Sequence, residues 1–376
     1  MIDLGCGLDM TAPVVIAGTI YCYRLYDVGD EIALEEAARL LRSQYRDTRL
    51  GRKASGEMDS FAVPLRVDLD SRKVTFGHTG QVLDVEMSIH FFDSGTASMC
   101  LEIPIASGTS LDSLVPFCQE LYESAELEAL GRTEIAKILP HFAAAVSGQH
   151  DWHGFETFTA LSIRKLEGDP PIADVLAWPG LARLLVGDAS AGTLAKSHAT
   201  EVLEYAFSYE ENDLIVVDWN SAFIVSPSGS PELIDMLEFA NSHLLNLRYY
   251  DGRFDAQLKE IYADLMANKE HSLSSPYAKL AHHGLRDLMG LSELVERIDN
   301  AIKAVGDFYA ARVYRGAMRR LRIEAWKESI ERKQTLIGEA YEMLKGEAEV
   351  RRGLILEVTV IVLIVIEVIQ AFMGGH

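Results

Sequence analysis

The sequence predicts an α+β head with antiparallel strands, a long helical-hairpin stalk and a single C-terminal transmembrane helix. Three observations carry that expectation. Between Val14 and Ser226, short β-type runs follow one another with short connections, which implies antiparallel pairing. From Leu233 the apolar residues fall at 233, 237, 240, 244 and 247, then at 254, 258, 261 and 265, a heptad stripe. Finally, fourteen of the twenty residues from Leu354 to Met373 are Leu, Ile, Val or Phe.

The head spans residues 1–228. Val14–Leu25 reads as a strand, and Glu31–Tyr45 has helical spacing through Ile32, Leu34, Ala38 and Leu41. Phe61–Leu69, Lys73–Gly77, Val82–Phe92 and Ala97–Ile105 follow as strands. Asp93-Ser94-Gly95 joins the last two as a hairpin-type turn. Helices are expected over Ser110–Ser124 and Glu126–Phe142, then a strand over Phe155–Leu166. Glu201–Tyr209, Leu214–Val217 and Ala222–Ser226 form a second strand group.

The stalk covers residues 229–350. Ser230 before Pro231 and Glu232 is a helix start. His271–Pro276 (HSLSSP) is the expected break, and a second helical pattern begins at Ser292 and runs past Leu344. Gly306, Gly316, Gly338 and Gly346 are the points where that helix would kink.

Residues 351–376 form the anchor. Leu354–Met373 as a helix is about 30 Å long, the thickness of a bilayer's hydrocarbon core. Arg351 and Arg352 precede it, which places the upstream chain on the cytoplasmic side of a cell inner membrane, with a single pass. Glu357, Glu367 and Gln370 are the polar residues inside the run. They stand for an oligomer contact, a tolerated polar position or a proton path.

The chain has 376 residues and a net charge of −21. Phosphate would repel such a surface as a whole, so an anion site must be local. Cys6, Cys22, Cys100 and Cys118 are scattered, which suits a reducing compartment and offers no zinc framework. No leader sequence is apparent at the N-terminus.

Few motifs carry chemistry. DLGCG at Asp3–Gly7 lacks the strand before it that a Gly-rich nucleotide loop needs. His150, Asp151, His153 and Glu156 are dense enough to ligate a metal, but a polar loop entering a strand is the plainer reading. The specific feature lies in the stalk. Arg312, Arg315, Arg319 and Arg322 are spaced three, four and three apart and share a helical face. Arg320 adds to them, and no acid occurs between Asp307 and Glu324. The stripe would suit nucleic-acid phosphates, a ribosome surface or an acidic protein. Internal pairing with the acids of the other stalk helix, such as Asp251 and Asp255, is the plainer reading.

Two segments carry a family resemblance. One is SHATEVLEYAFSYE, with Ser197-His198-Ala199 leading to Tyr209-Glu210; the other is Leu356-Glu357, an apolar run, then Glu367-Val368. In their order they resemble the "required for meiotic nuclear division" family of tail-anchored membrane proteins, as does Asp307-Phe308-Tyr309. The resemblance implies a tail-anchored α+β head without assigned enzymatic activity, linked in some members to organellar translation. It also implies a shared site at Ser197, His198 and Glu210.

The expected function is a membrane-tethered, non-enzymatic scaffold or adaptor. Its partners would be the lipid bilayer, a second copy through stalk or anchor, and a ribosome or acidic protein, with no small-molecule ligand, cofactor or metal. The competing expectation is a membrane-bound hydrolase or nucleotide-handling enzyme using His198 with Asp218 or Glu210. A third is a conductor through Glu367.

Overall fold

The computed structural model describes residues 11–42, 48–50, 64–76, 80, 82–150, 152–190, 192–229, 231–266, 292, 294–296, 300 and 308–373. The strands are β1 (Val14–Asp27), β2 (Glu31–Ile32), β3 (Thr48–Leu50), β4 (Leu65–Thr75), β5 (Val82–Phe91), β6 (Thr96–Ile105), β7 (Thr109–Ser110), β8 (Val146–Ser147), β9 (Phe155–Leu166), β10 (Ala206–Phe207), β11 (Leu214–Val217) and β12 (Ser221–Val225). The helices are α1 (Leu34–Leu41), α2 (Leu111–Glu123), α3 (Ala125–Ile138), α4 (Ile172–Ala177), α5 (Gly180–Val186), α6 (Lys196–Val202), α7 (Pro231–Met266), α8 (Phe308–Arg320) and α9 (Ile323–Met373).

One large sheet runs in the order β10-β11-β12-β9-β1-β6-β5-β4-β3, with β7 beside β1. β1 is its centre. It pairs antiparallel with β6 through Gly18–Asp27 and with β9 through Val15–Tyr26. Alternate side chains of a strand face opposite sides, yet Cys22, Tyr23, Leu25 and Tyr26 are all buried. Both faces of the sheet are therefore covered, which explains the continuous apolar run VVIAGTIYCY. One face packs the main core with α1, α2 and α5, through Leu41, Leu114, Phe117, Leu121, Leu184 and Leu185. Each fully buried aliphatic or aromatic side chain contributes roughly 1.5–3 kcal/mol. The other face meets α7 and α8: Phe92 packs on Phe239, and Thr96 Oγ1 donates to Asn246 Oδ1 at 3.0 Å.

The expected fold class needs correction. The sheet is mixed, because β12 runs parallel to β9. A parallel neighbour requires a crossover of a dozen residues or more; here residues 167–220 supply it, through α4–α6 and the β10–β11 pair. Within the expected strand Glu201–Tyr209, the first two residues end α6 and only Ala206–Phe207 pair. The head-and-stalk division does not describe the packing either. Residues Met236–Leu247 of α7 are buried on every side, so this half of the helix is interior rather than a stalk.

The chain divides into two compact units, one holding residues up to Tyr249 with Ser292–Trp326, the other Tyr250–Leu291 with Lys327–His376. In the second unit, Lys333 Nζ reaches Asp251 Oδ1 at 2.7 Å and Asp255 Oδ1 at 2.6 Å, and Ser329 Oγ donates to Asp251 at 3.1 Å. The expected anchor is the last part of α9, whose earlier turns are rich in Glu, Lys and Arg and whose apolar stretch contains Glu357 and Glu367. Among the described residues no helix is long and apolar enough to cross a membrane. The expected transmembrane tail anchor and the single-pass inner-membrane location are thus not supported. The break expected at His271–Pro276 and the DLGCG loop at Asp3–Gly7 lie outside the described residues.

The Asp93-Ser94-Gly95 turn between β5 and β6 is a second anchor point for the sheet. Gly95 has φ +81°, and a Cβ there would lie 1.7 Å from the Gly29 carbonyl oxygen. Only glycine satisfies both demands. Gly95→Ala is expected to cost about 2–4 kcal/mol, read as a lowered urea midpoint at unchanged slope.

Candidate functional site

Two clusters lie on the α7–α8 side of the sheet, one buried and one exposed. The buried cluster was not anticipated. Ser88 and His90 are two apart on β5, so they share a face. Ser88 Oγ lies 3.1 Å from His90 Nε2, and His90 Nδ1 lies 2.8 and 2.9 Å from the two carboxylate oxygens of Glu238 on α7. All three are buried, Ser88 and Glu238 at 1% exposure. Cys100 sits opposite Ser88 on β6, and Tyr23 opposite Cys100 on β1. Burial pushes the Cys100 thiol and the Tyr23 hydroxyl well up from their ordinary values. His90 resists the same effect. Burial disfavours its charge, but the Glu238 carboxylate and its hydrogen bond outweigh that, and its pKa is raised.

This is the connectivity of a serine–histidine–acid relay. With Ser88 sealed from solvent, it ties α7 to the sheet instead of presenting a nucleophile. The sequence signal was Ser-x-His on an alternating strand. Nothing local could pair it with a glutamate 148 residues away.

The exposed cluster is the arginine stripe. Arg312, Arg315, Arg319 and Arg322 are all exposed, on α8 and the turn that follows it. Among the described residues none of the four makes an ion pair; Arg312 instead lies over the Phe207 ring at 5.7 Å. Arg320 points the other way. Its Nε donates to Asp218 Oδ1 at 2.8 Å, its Nη2 reaches the same oxygen, and Nη1 lies 3.5 Å from Glu201. Burial works against its charge, but these two carboxylates hold it protonated. The opposite face of α8 is apolar, with Tyr309, Val313, Tyr314 and Ala317 buried.

Gly316 was expected to kink the helix. It instead permits close approach, since a Cβ there would stand 2.1 Å from the Phe207 ring. The break comes at Arg322, whose φ is +54°. This left-handed position ends α8, with Arg322 N donating to Arg319 O at 3.0 Å. Glycine is the usual occupant there.

The remaining expected site residues do not converge. Ser197 and His198 are exposed on α6, where His198 Nδ1 is 4.0 Å from Glu201. Glu210 is exposed in the turn organised by Asp213, which accepts from the Tyr209 and Glu210 amides. Asp218 is committed to Arg320. Glu357 is exposed on α9, and the side chains of Glu367 and Gln370 lie outside the described residues. His150 Nε2 meets Asp27 Oδ1 at 2.9 Å and stacks on Tyr249; Glu156 pairs with Arg248, and the His153 carbonyl accepts from Arg132. Asp151 lies outside the described residues. Among the described residues no group of three His, Cys, Asp or Glu is placed to hold a metal.

Two outcomes follow from this geometry. The raised folded pKa of His90 means that its stabilising contribution is complete below the unfolded value of about 6.5 and is lost as pH rises through the folded value. Denaturation midpoints should therefore fall above pH 6.5. His90→Gln should flatten that fall while lowering stability by about 3–5 kcal/mol, the cost of orphaning a buried Glu238. Separately, Arg322→Gly should raise stability by up to about 1 kcal/mol, because the left-handed backbone no longer opposes a Cβ; calorimetry of the purified variant checks this.

Comparison with known proteins places the chain. Residues 17–232 match the family described as "Uncharacterized protein MJ0711, N-terminal domain". "Uncharacterized protein MJ0711" of Methanocaldococcus jannaschii is 26% identical over 185 residues, covering 47% of this chain and 54% of that one. The chain thus spans about half the length of that curated relative. No solved structure matches. These matches overturn the expected kinship with the "required for meiotic nuclear division" family. That resemblance rested on short segments, of which the first lies on α6, β10 and the turn after it. The matched span runs from β1, the centre of the sheet, to the first residues of α7, and on that basis the chain belongs to the MJ0711 N-terminal domain family.

Proposed function

We propose that this protein is a non-enzymatic adaptor that docks an anionic partner on the arginine face of α8 (Phe308–Arg320). The observation that carries this reading is the exposure of Arg312, Arg315, Arg319 and Arg322 without an ion pair among the described residues. In a chain of net charge −21, four such cations, three along α8 and one in the turn after it, are not needed for solubility. Guanidinium groups that meet no carboxylate among the described residues suit bidentate recognition of carboxylate or phosphate.

The support beneath the face is tied to the sheet. Arg320 is bound to Asp218 at the β11–β12 turn, and Gly316 seats the helix against Phe207 of β10. The four side chains therefore start from a fixed row about 15 Å long. A preorganised row loses less entropy on binding than a mobile one.

The test is charge reversal in the full-length protein. Arg312→Glu, Arg315→Glu and Arg319→Glu together should abolish recovery of a co-purifying partner, with the circular dichroism spectrum and thermal transition unchanged. Equal recovery by the wild type and the triple variant would end the docking proposal.

A further inference from the structure

Resting on the docking reading, we infer that the anionic partner of the arginine face is a single-stranded nucleic acid, with phosphates on the arginines and a base stacked at the aromatic end. The face does not begin at Arg312. Phe308 stands four residues earlier, on the same side of the helix, and is 79% exposed. Tyr209 is 73% exposed, and its ring lies 5.4 Å from that of Tyr309, the residue that follows Phe308. An aromatic end followed by a row of cations is the arrangement single-strand binders use, because every base offers a π-face and every nucleotide a phosphate.

Composition favours this partner over an acidic protein. The row holds four arginines and no lysine, and guanidinium planes both pair with phosphate and stack on bases. Carboxylates of an acidic protein would use the arginines and leave Phe308 without a role. A duplex keeps its bases stacked inside and would do the same. Glu210 and Glu211 follow Tyr209 in its turn, so phosphates are accommodated along α8 and only a base at the aromatic end. The −21 charge of the chain opposes approach at low salt. At 0.1 M salt the screening length is about 10 Å, and only charges near the face act on a bound strand.

The experiment is fluorescence anisotropy of full-length protein with labelled twelve-nucleotide oligo-U, oligo-dT and a duplex of the same length, from 0.05 to 0.3 M salt. Single strands should bind and the duplex should bind more weakly. Four phosphate contacts give a slope of log K against log salt of about −2.8, at roughly −0.7 per contact. Arg312→Ala with Arg315→Ala and Arg319→Ala should reduce it to about −0.7. Phe308→Ala should weaken binding roughly 5- to 150-fold, the equivalent of one lost stack, with the slope unchanged. Absence of oligonucleotide binding, or indifference to Phe308→Ala, overturns the inference. If labelled poly-glutamate binds instead and the arginine variants abolish it, the docking reading stands and only the nucleic-acid assignment fails. If neither probe nor any co-purifying partner responds to the arginine variants, both fail.

Discussion

The position of β1 (Val14–Asp27) constrains everything else. It is paired along both edges and covered on both faces, so it contributes almost no solvent-exposed surface over Cys22–Asp27. A strand in that position forces a layer on each side of the sheet. The layer holding α2 (Leu111–Glu123) and α5 (Gly180–Val186) is mainly apolar. Arg24, fully buried, is handled by donating to the carbonyls of Tyr23 and Leu121, the latter near the carbonyl end of α2, where a cation is favoured by the helix dipole.

The second layer is mixed. The part of α7 (Pro231–Met266) up to Tyr249 lies on the sheet face with Glu238, Asn241, Ser242, His243 and Asn246 all buried. Burying such groups is costly unless each is paired. His90 answers Glu238, and Thr96 with the Ser94 carbonyl answers Asn246. Directional contacts of this kind set the helix in one register, where an apolar surface alone would tolerate sliding. The Ser88–His90–Glu238 row is best understood as part of that registration.

Once α7 is placed, the sheet edge at β10 (Ala206–Phe207) receives α8 (Phe308–Arg320). Its apolar side is consumed by packing, and Arg320 is consumed by Asp218. What remains outward is the arginine row with Phe308 at its head. The left-handed Arg322 keeps an arginine where glycine would be easier, so that the row extends past the end of the helix. The charge of the chain as a whole is opposite in sign to this face, which makes the face local and directional.

Much of the strand layout was legible beforehand, because alternation and turn chemistry are local. β1, β5, β6, β9, β11 and β12 fall within two residues of their expected bounds at each end, and Ala97–Ile105 was delimited by the glycine turn. The strand expected over Glu201–Tyr209 shortens to β10 because its first two residues end the helix Lys196–Val202, which packs on α5, a tertiary preference that propensity does not contain. The arginine spacing was readable too, since three-four-three needs only helical periodicity. Whether those arginines were paired was not, because that depends on which helix lies opposite. Local composition, in the end, determined the strands, the turn at Gly95 and the row Arg312–Arg322. Only the tertiary structure decided that the sheet is mixed, that half of the heptad-patterned α7 is interior, and that His90 meets Glu238. Those outcomes depend on contacts across tens to more than a hundred residues, and no local pattern encodes such distances.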